Sequence, residues 1–171
     1  TASKWKHTKL KEMDVPNCID YNTENVMQKV MEYSDNRGVD LIIDPVGGEN
    51  WKTSYKCLAP LGKLIVYGDQ NFVKGKSFSL FTTLKEVFSM PKYKPMDLMS
   101  KNKSIMGYHL GRLEGAEDKI QRAVTELYKL VQNGKLSPII DKVFPYSESH
   151  KAHSYIQDRK NFGKVLLDFR D

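Results

Sequence analysis

Two short apolar runs, each followed by turn-forming residues, stand out in the pattern of hydrophobic and polar positions. The first run leads into Asp44-Pro45-Val46-Gly47-Gly48, and the second leads into Tyr67-Gly68. The residues between the runs are compatible with a short helix over 50–58. This is a strand, a helical crossover and a second strand, with apolar residues on both faces of each strand. The pattern is typical of parallel strands in a sheet that is covered on both faces. The pattern therefore predicts parallel strands over 39–46 and 63–68.

The alternation between strand and helix periods continues along the chain. Helical spacing predicts helices over 4–13, 77–88, 97–101, 116–132 and 147–156, and one through 26–33 that is capped by Asn22 or Thr23. Short apolar runs predict further strands over 18–21, 104–110, 138–144 and 164–169. Strands and helices in alternation indicate an α/β fold with a doubly wound parallel sheet. Such sheets bind ligands at the carboxyl ends of their strands.

Four residues stand at those strand ends. They are Val46, Gly47, Tyr67 and Gly68. A glycine at a strand end allows close approach of a ligand to the backbone, although any α/β protein also has turn glycines there. Gly107 interrupts the predicted strand over 104–110, which indicates close approach of another backbone or of a ligand.

The net charge of +6 is concentrated in one stretch. Lys74–Lys103 holds seven lysines against Glu86 and Asp97, with aromatic residues interspersed. Two interpretations remain open: a surface that binds an anionic membrane, or a helix packed on the sheet with solvated lysines. No motif supports nucleic-acid binding, and no run approaches the ~20 apolar residues of a membrane-spanning helix.

Several kinds of site lack their sequence signature. No G-x-G-x-x-G turn lies between a strand and a helix, and there is no P-loop. His150 and His153 share a helix without a third ligand, and His7 has no partner in the sequence, so no metal site is predicted. Cys18 and Cys57 form no C-x-x-C motif, which favours a reducing intracellular compartment.

An ordered series of short motifs resembles a known family. The chain is similar to the zinc-free quinone oxidoreductase branch of the medium-chain dehydrogenase/reductases, and within it to the vesicle amine transport protein homologues. The matching motifs are Thr1-Ala2-Ser3 with Lys6, Ile19-Asp20-Tyr21, Gly38-Val39-Asp40, Asp44-Pro45-Val46-Gly47-Gly48, Gly62-Lys63 with Tyr67-Gly68, Gly107-Tyr108-His109-Leu110, and Asn161-Phe162-Gly163-Lys164-Val165.

The resemblance implies a partial Rossmann fold. Thr1 would fall at the end of the second Rossmann strand, so the first βα unit with its glycine loop would precede it. Residues 1–135 would be the C-terminal portion of the NAD(P)-binding domain. Residues 136–171 would return to the GroES-like catalytic domain. We expect such a chain to be inactive in isolation.

The resemblance also implies the cofactor, NADPH, and the residues that contact it. Ser3, Lys6 and Tyr21 would lie near the 2′-phosphate, although on residue type alone Lys6 reads as a solvated lysine and Tyr21 as ordinary packing. Tyr108, His109 and Leu110 would border the nicotinamide, and Asn161 would lie near its ribose or serve only as a turn residue. The strand around Gly107 would also be able to pair across a homodimer.

The implied activity is hydride transfer from NADPH to a small-molecule acceptor, namely a quinone, an enone or a related conjugated carbonyl compound. The alternative is a non-catalytic regulatory protein that uses an oxidoreductase scaffold at vesicle or mitochondrial membranes. Either form would be cytoplasmic, with peripheral attachment to vesicle or mitochondrial outer membranes.

Overall fold

The computed structural model describes residues 1–68 and 90–170, which divide into two units, Thr1–His109 and Leu110–Asp171. The helix predicted over 77–88 and much of the lysine-rich stretch lie outside the described residues. The predicted domain division after residue 135 stays a prediction.

The first unit is a parallel α/β sheet with helical crossovers. Its strands lie in the order β1-β2-β3, and every pairing is parallel. The fold class predicted from the apolar runs is therefore confirmed. The elements are a 3₁₀ helix at Lys4–Lys6, α1 (His7–Glu12), α2 (Val26–Tyr33), β1 (Val39–Asp44), α3 (Glu49–Cys57), β2 (Leu58–Val66), α4 (Pro95–Lys101) and β3 (Ser104–Gly107).

One face of this sheet carries the core of the unit. Ile42, Leu64 and Ile105 pair in register across the three strands, and Leu64 is completely buried. Tyr55 of α3 and Leu98 of α4 pack against this row. Burying a leucine side chain contributes about 1.5–3 kcal/mol, so this row fixes the order and register of the strands.

The start of α2 differs from the prediction. Asn25 caps the helix, because its side chain accepts a hydrogen bond of 3.0 Å from the amide of Gln28. Asn22 and Thr23, the predicted caps, instead donate to the carboxylate of Asp20. All three residues are good caps by type, and only the tertiary structure decides which of them serves.

Two predicted strands are wrong or too long. Residues 18–21 form no strand; a single backbone bond of 2.9 Å joins the amide of Ala2 to the carbonyl of Ile19. The strand predicted over 104–110 ends at Gly107. A Cβ added at Gly107 would meet no atom of the described residues within 4 Å, so the close backbone approach expected there is not found among them.

The second unit has its own two-stranded parallel sheet, β4-β5. Phe144 of β4 and Ala152 of the crossover helix are buried, and the ring of Tyr155 lies 5.9 Å from that of Phe144. The elements are a 3₁₀ helix at Leu110–Arg112, α5 (Glu117–Gln132), β4 (Ile140–Pro145), a 3₁₀ helix at Tyr146–Glu148, α6 (Ser149–Gln157) and β5 (Lys164–Asp168).

Candidate functional site

The carboxyl ends of the three parallel strands form one edge of the first sheet, called here the carboxyl edge. Asp44, Val66 and Gly107 pair with one another across the strands. The amide of Tyr67 donates to the carbonyl of Asp44 at 3.3 Å, and the amide of Tyr108 donates to that of Val66 at 2.9 Å. Five predicted site residues therefore share this edge: Val46, Gly47, Tyr67, Gly68 and Tyr108.

The turn after β1 relies on two glycines. Gly47 and Gly48 have φ angles of 88° and 56° and are buried, and α3 begins directly after them. Residues with side chains rarely adopt such angles. Both glycines thus form the turn from β1 into α3, and the approach of a ligand predicted for Gly47 stays a prediction.

Asp44 holds this turn, and the sequence analysis assigned it no role. Its side chain is buried, with 2% exposure. Oδ1 accepts a hydrogen bond from the Val46 amide at 2.8 Å, and Oδ2 accepts from Asn50 Nδ2 at 2.7 Å and Ser54 Oγ at 2.6 Å. The available sequence signal is an acid that ends an apolar strand just before a Pro-Val-Gly-Gly turn.

The ends of β1 and β2 lie in close contact. A Cβ added at Gly68 would lie 3.2 Å from the carbonyl oxygen of Pro45, which leaves little room for a side chain. Beside this contact, the rings of Tyr67 and Tyr108 are 47% and 40% exposed. The carboxyl edge thus combines two exposed tyrosines with a tightly packed backbone.

A second group of predicted site residues lies at the start of the chain. Ser3 Oγ and Tyr21 OH share a hydrogen bond of 2.8 Å. Ser3 is half-buried and Tyr21 is 37% exposed. The structure therefore brings together two residues that only the family resemblance had connected.

Two buried residues hold the segments that carry this hydroxyl pair. Nε2 of His7 lies 3.0 Å from the carbonyl oxygen of Ala2, whose amide bonds to Ile19. Asp20 is buried, and hydrogen bonds lower the pKa of its carboxyl group, above all the bond from the backbone amide of Asn22. Neither role was predicted, since both depend on contacts between segments distant in sequence or on backbone geometry.

Lys6 is half-buried and lies one helical turn after Ser3. Its amide donates to the carbonyl of Ser3 at 2.9 Å, and its Nζ lies 5.1 Å from the centre of the Trp5 ring. Neither the 3₁₀ helix over Lys4–Lys6 nor the first turn of α1 contains an acid. The immediate surroundings of the hydroxyl pair on this segment are therefore basic.

The remaining predicted site residues are His109, Leu110 and Asn161. His109 ends the first unit, and Leu110 begins the second in a 3₁₀ helix, where it is 58% exposed. In the second unit Asn161 donates from Nδ2 to the carbonyl of Gly163 at 2.9 Å. A Cβ at Gly163 would lie 2.5 Å from the Ile139 carbonyl oxygen, so Asn161 braces a turn that requires glycine.

A metal centre, a reactive thiol and a membrane-spanning helix find no support in residues 1–68 and 90–170. No group of three or more His, Cys, Asp or Glu side chains there is placed to hold a metal ion. Cys57 is 1% exposed, and burial raises the pKa of its thiol, which makes it a poor nucleophile. None of the helices in these ranges has the length and apolar character needed to cross a bilayer.

The most similar known proteins include oxidoreductases and vesicle proteins. The synaptic vesicle membrane protein VAT-1 homolog of Rattus norvegicus is 35% identical over 167 residues, which are 98% of this chain and 41% of that protein. A quinone oxidoreductase of Pseudomonas aeruginosa is 28% identical over 150 residues, which are 87% of this chain and 41% of that protein. The chain thus spans less than half the length of these relatives.

Solved structures of similar proteins have the same fold as this chain. The human synaptic vesicle membrane protein VAT-1 homolog-like protein superimposes with a TM-score of 0.73 at 26% identity, covering 99% of this chain and 44% of that one. A quinone oxidoreductase of Pseudomonas syringae has the same fold, with a TM-score of 0.73 at 22% identity and coverage of 98% and 47%. The resemblance read from the motifs is confirmed. Residues 13–167 match the family described as zinc-binding dehydrogenase, and the chain belongs to that family.

Proposed function

We propose that the protein is an NADPH-dependent oxidoreductase of the quinone reductase type. It would transfer hydride from the nicotinamide to a quinone, an enone or a related conjugated carbonyl compound. Family membership and the quinone oxidoreductase relatives support the reaction class. The cofactor would supply the hydride, and the residues of this chain would bind and orient it. The proposal assigns no zinc ion to the reaction.

The hydrogen-bonded pair of Ser3 and Tyr21 carries the choice of NADPH over NADH. The two hydroxyl groups offer hydrogen-bond donors, and Lys6, one helical turn after Ser3 along the backbone, offers a positive charge. These are the partners that a 2′-phosphate requires. A site for NADH would instead offer a carboxylate to the ribose hydroxyls.

Asp20 is the acid nearest to Tyr21 in sequence, and its contacts argue against that role. Oδ1 accepts from the amide and side chain of Asn22, and Oδ2 accepts from Thr23 Oγ1. A carboxylate engaged in its own turn is a poor acceptor for a ribose hydroxyl. The local charge therefore favours the phosphorylated cofactor.

The carboxyl edge is the proposed place for the remainder of the cofactor. Gly68 after β2 is exposed there, and the exposed Tyr67 and Tyr108 belong to the same edge. Glycines at strand ends fit a flat ligand that lies against the backbone. Asn161 and the His109-Leu110 pair stay proposals as contacts of the nicotinamide half.

Steady-state assays of the full-length protein test this function. NADPH oxidation should depend on added quinone or enone and should follow saturation in both substrates. NADPH binding without turnover over a panel of such acceptors would favour the second candidate below. Absence of both binding and turnover would reject the oxidoreductase.

The second candidate is a non-catalytic protein that attaches to anionic membranes. The observation that favours it is a set of exposed apolar and basic residues on β2, on α4 and just before α4, called here the α4 patch. Three large apolar side chains in it are exposed by 69–77%, and exposed lysines accompany them. Its residues are Leu61, Met96, Met99, Lys92, Lys94 and Lys101.

The backbone explains why this patch is exposed. Leu61 has a φ of 66°, and its amide donates to the carbonyl of Asn102 at 2.7 Å, just beyond the end of α4. Leu98 of α4 packs into the core, so Met96 and Met99 lie on other sides of the helix. Apolar side chains flanked by lysines suit the interface of an anionic bilayer.

Membrane attachment and cofactor binding would use different residues, so the two candidate functions are compatible. It would place the protein on the cytoplasmic face of vesicles or of the mitochondrial outer membrane, as the VAT-1 relatives' names suggest for vesicles. Flotation with vesicles of phosphatidylserine and phosphatidylcholine tests it. Binding to anionic vesicles and not to neutral ones is expected, and equal or absent binding would reject it.

A homodimer through β3 is a further part of the proposal. In the described sheet β3 pairs only with β2, which leaves its other edge available to a second copy. Light scattering on the full-length protein should give twice the chain mass. The amide of Tyr108 binds Val66 of β2, so the amide of Gly107, one residue earlier, points to the free edge. Gly107→Pro, which removes that donor, should halve the mass; an unchanged dimer would place the interface elsewhere.

A further inference from the structure

We propose that Asp44 is a positioning residue for the carboxyl edge: it sets the turn that a bound dinucleotide would face without touching the dinucleotide itself. The inference rests on the proposed function and adds a residue that acts from beneath the site. The observation that carries it is a buried carboxylate with three partners on three different residues of the turn and helix.

The carboxylate links the strand, the turn and the helix. One oxygen binds the amide of Val46 in the turn, and the other binds the side chains of Asn50 and Ser54. Asn50 and Ser54 are four residues apart and so lie on one face of α3. The end of β1 is thereby fixed to the first two turns of the helix.

The turn needs such a constraint. Gly47 and Gly48 both have positive φ angles, and glycine has more accessible conformations than any other residue. Two backbone bonds join the turn to the helix, from the amides of Asn50 and Trp51 to the carbonyls of Gly47 and Gly48. The hydrogen bond from the Val46 amide to Asp44 Oδ1 fixes the residue that precedes the two glycines.

Burial makes the arrangement dependent on the carboxylate. Asp44 is 2% exposed, so water is a poor substitute partner for the groups it binds. Asp44→Asn keeps the size of the side chain but points an NH₂ group at one or two of the three donors. We expect the turn to lose its fixed conformation while the sheet, whose core lies at Leu64, stays folded.

Two measurements on the full-length protein test the inference. Hydrogen exchange at the Val46 amide should accelerate at least about tenfold in Asp44→Asn, and the NADPH Kd should weaken by a similar factor. The KM for the acceptor should change less than the KM for NADPH. In a background of Ser54→Ala, which removes one of the donors, the effect of Asp44→Asn should be smaller.

Asp40→Asn is the matched control, since Asp40 lies on the same strand but binds only Arg37 at the surface. It should leave exchange at Val46 and the NADPH Kd unchanged. The inference is overturned if Asp44→Asn resembles Asp40→Asn, or if exchange accelerates equally at Leu64, which would indicate general destabilisation. Faster exchange at Val46 in a protein whose wild type binds no dinucleotide would reject both the proposed function and the positioning role.

Discussion

The hydroxyl groups of Ser3 and Tyr21 share a hydrogen bond of 2.8 Å, although 18 residues separate them in the sequence. The backbone bond from Ala2 to Ile19 and the contact of His7 with Ala2 hold the two segments together. Lys6 follows one turn later and no acid of that segment intervenes. This relationship underlies the proposal that the protein prefers NADPH.

Removing the hydroxyl pair or its lysine should weaken NADPH binding selectively. Lys6→Gln removes a charge-assisted contact, and such contacts contribute about 1.5–3 kcal/mol, or roughly tenfold or more in Kd. Ser3→Ala and Tyr21→Phe should each have a smaller effect in the same direction. Calorimetric titration measures both cofactors, and NADH binding should change little.

Lys11→Gln is the control for Lys6, because Lys11 is an exposed lysine in α1, the helix that follows Lys6. It should retain the affinity of the wild type. Equal losses for NADPH and NADH in Lys6→Gln would contradict a 2′-phosphate contact.

Leu64 should matter far more to stability than Leu61 on the same strand. Leu64 is completely buried within the row that crosses the sheet, whereas Leu61 is 77% exposed. Leu64→Ala should lower the free energy of unfolding by about 2–5 kcal/mol. Leu61→Ala should change it by less than about 0.5 kcal/mol. Urea unfolding monitored by circular dichroism measures both, and similar losses would contradict the assigned core.

The first unit should lose stability in strong alkali because of Tyr93. Burial raises the pKa of Tyr93 to about 12, while its ordinary value is 10.0. Between these values the unfolded chain releases the phenolic proton and the folded chain retains it, so the free energy of unfolding falls as the pH rises from 10 to 12. Tyr93 OH also donates to the carbonyl of Trp51 at 3.1 Å.

Tyr93→Phe should therefore be less stable than the wild type at neutral pH and should show a flatter decline above pH 10. Tyr33→Phe, which alters a tyrosine that is 43% exposed, should reproduce the wild-type slope. Unfolding curves at a series of pH values make the comparison. A Tyr93→Phe slope equal to that of the wild type would show that this phenol does not govern the decline.

The α4 patch should bind anionic vesicles through both charge and apolar contact. Lysines near such a surface contribute about 1 kcal/mol each. Reversing Lys92 and Lys94 to Glu should therefore reduce flotation more than tenfold, and Leu61→Ser with Met96→Ser should also reduce it. Lys119→Glu with Lys135→Glu gives the same change of charge in the second unit. If that control variant loses flotation equally, binding depends on net charge rather than on this patch.

Periodicity predicted much of the fold. Strands β1 and β2 end at Asp44 and Val66, close to their predicted ends. Those ends could be predicted because apolar runs and the turn residues after them are local signals. The caps and the segment over 18–21 were wrong, because Asn22 and Thr23 bind Asp20 and the bond at Ile19 depends on contacts from elsewhere. Residue type alone does not show which polar residue caps α2 or whether residues 18–21 form a strand.

The candidate site residues also differ in whether the sequence could predict them. Val46, Gly47, Tyr67 and Gly68 could be placed at the carboxyl edge from the strand ends alone. The Ser3–Tyr21 pair came from the family resemblance, and no local pattern joins residues so far apart. Asp44 and His7 were missed because the role of a polar side chain depends on its hydrogen-bond partners. Those partners lie elsewhere in the chain.

Paired calorimetric titrations of NADPH and NADH into the full-length protein test the central claim most directly. The account predicts that NADPH binds with a Kd well below about 1 mM and at least about tenfold more tightly than NADH. Undetectable NADPH binding, or tighter binding of NADH, would contradict the site built around Ser3, Lys6 and Tyr21.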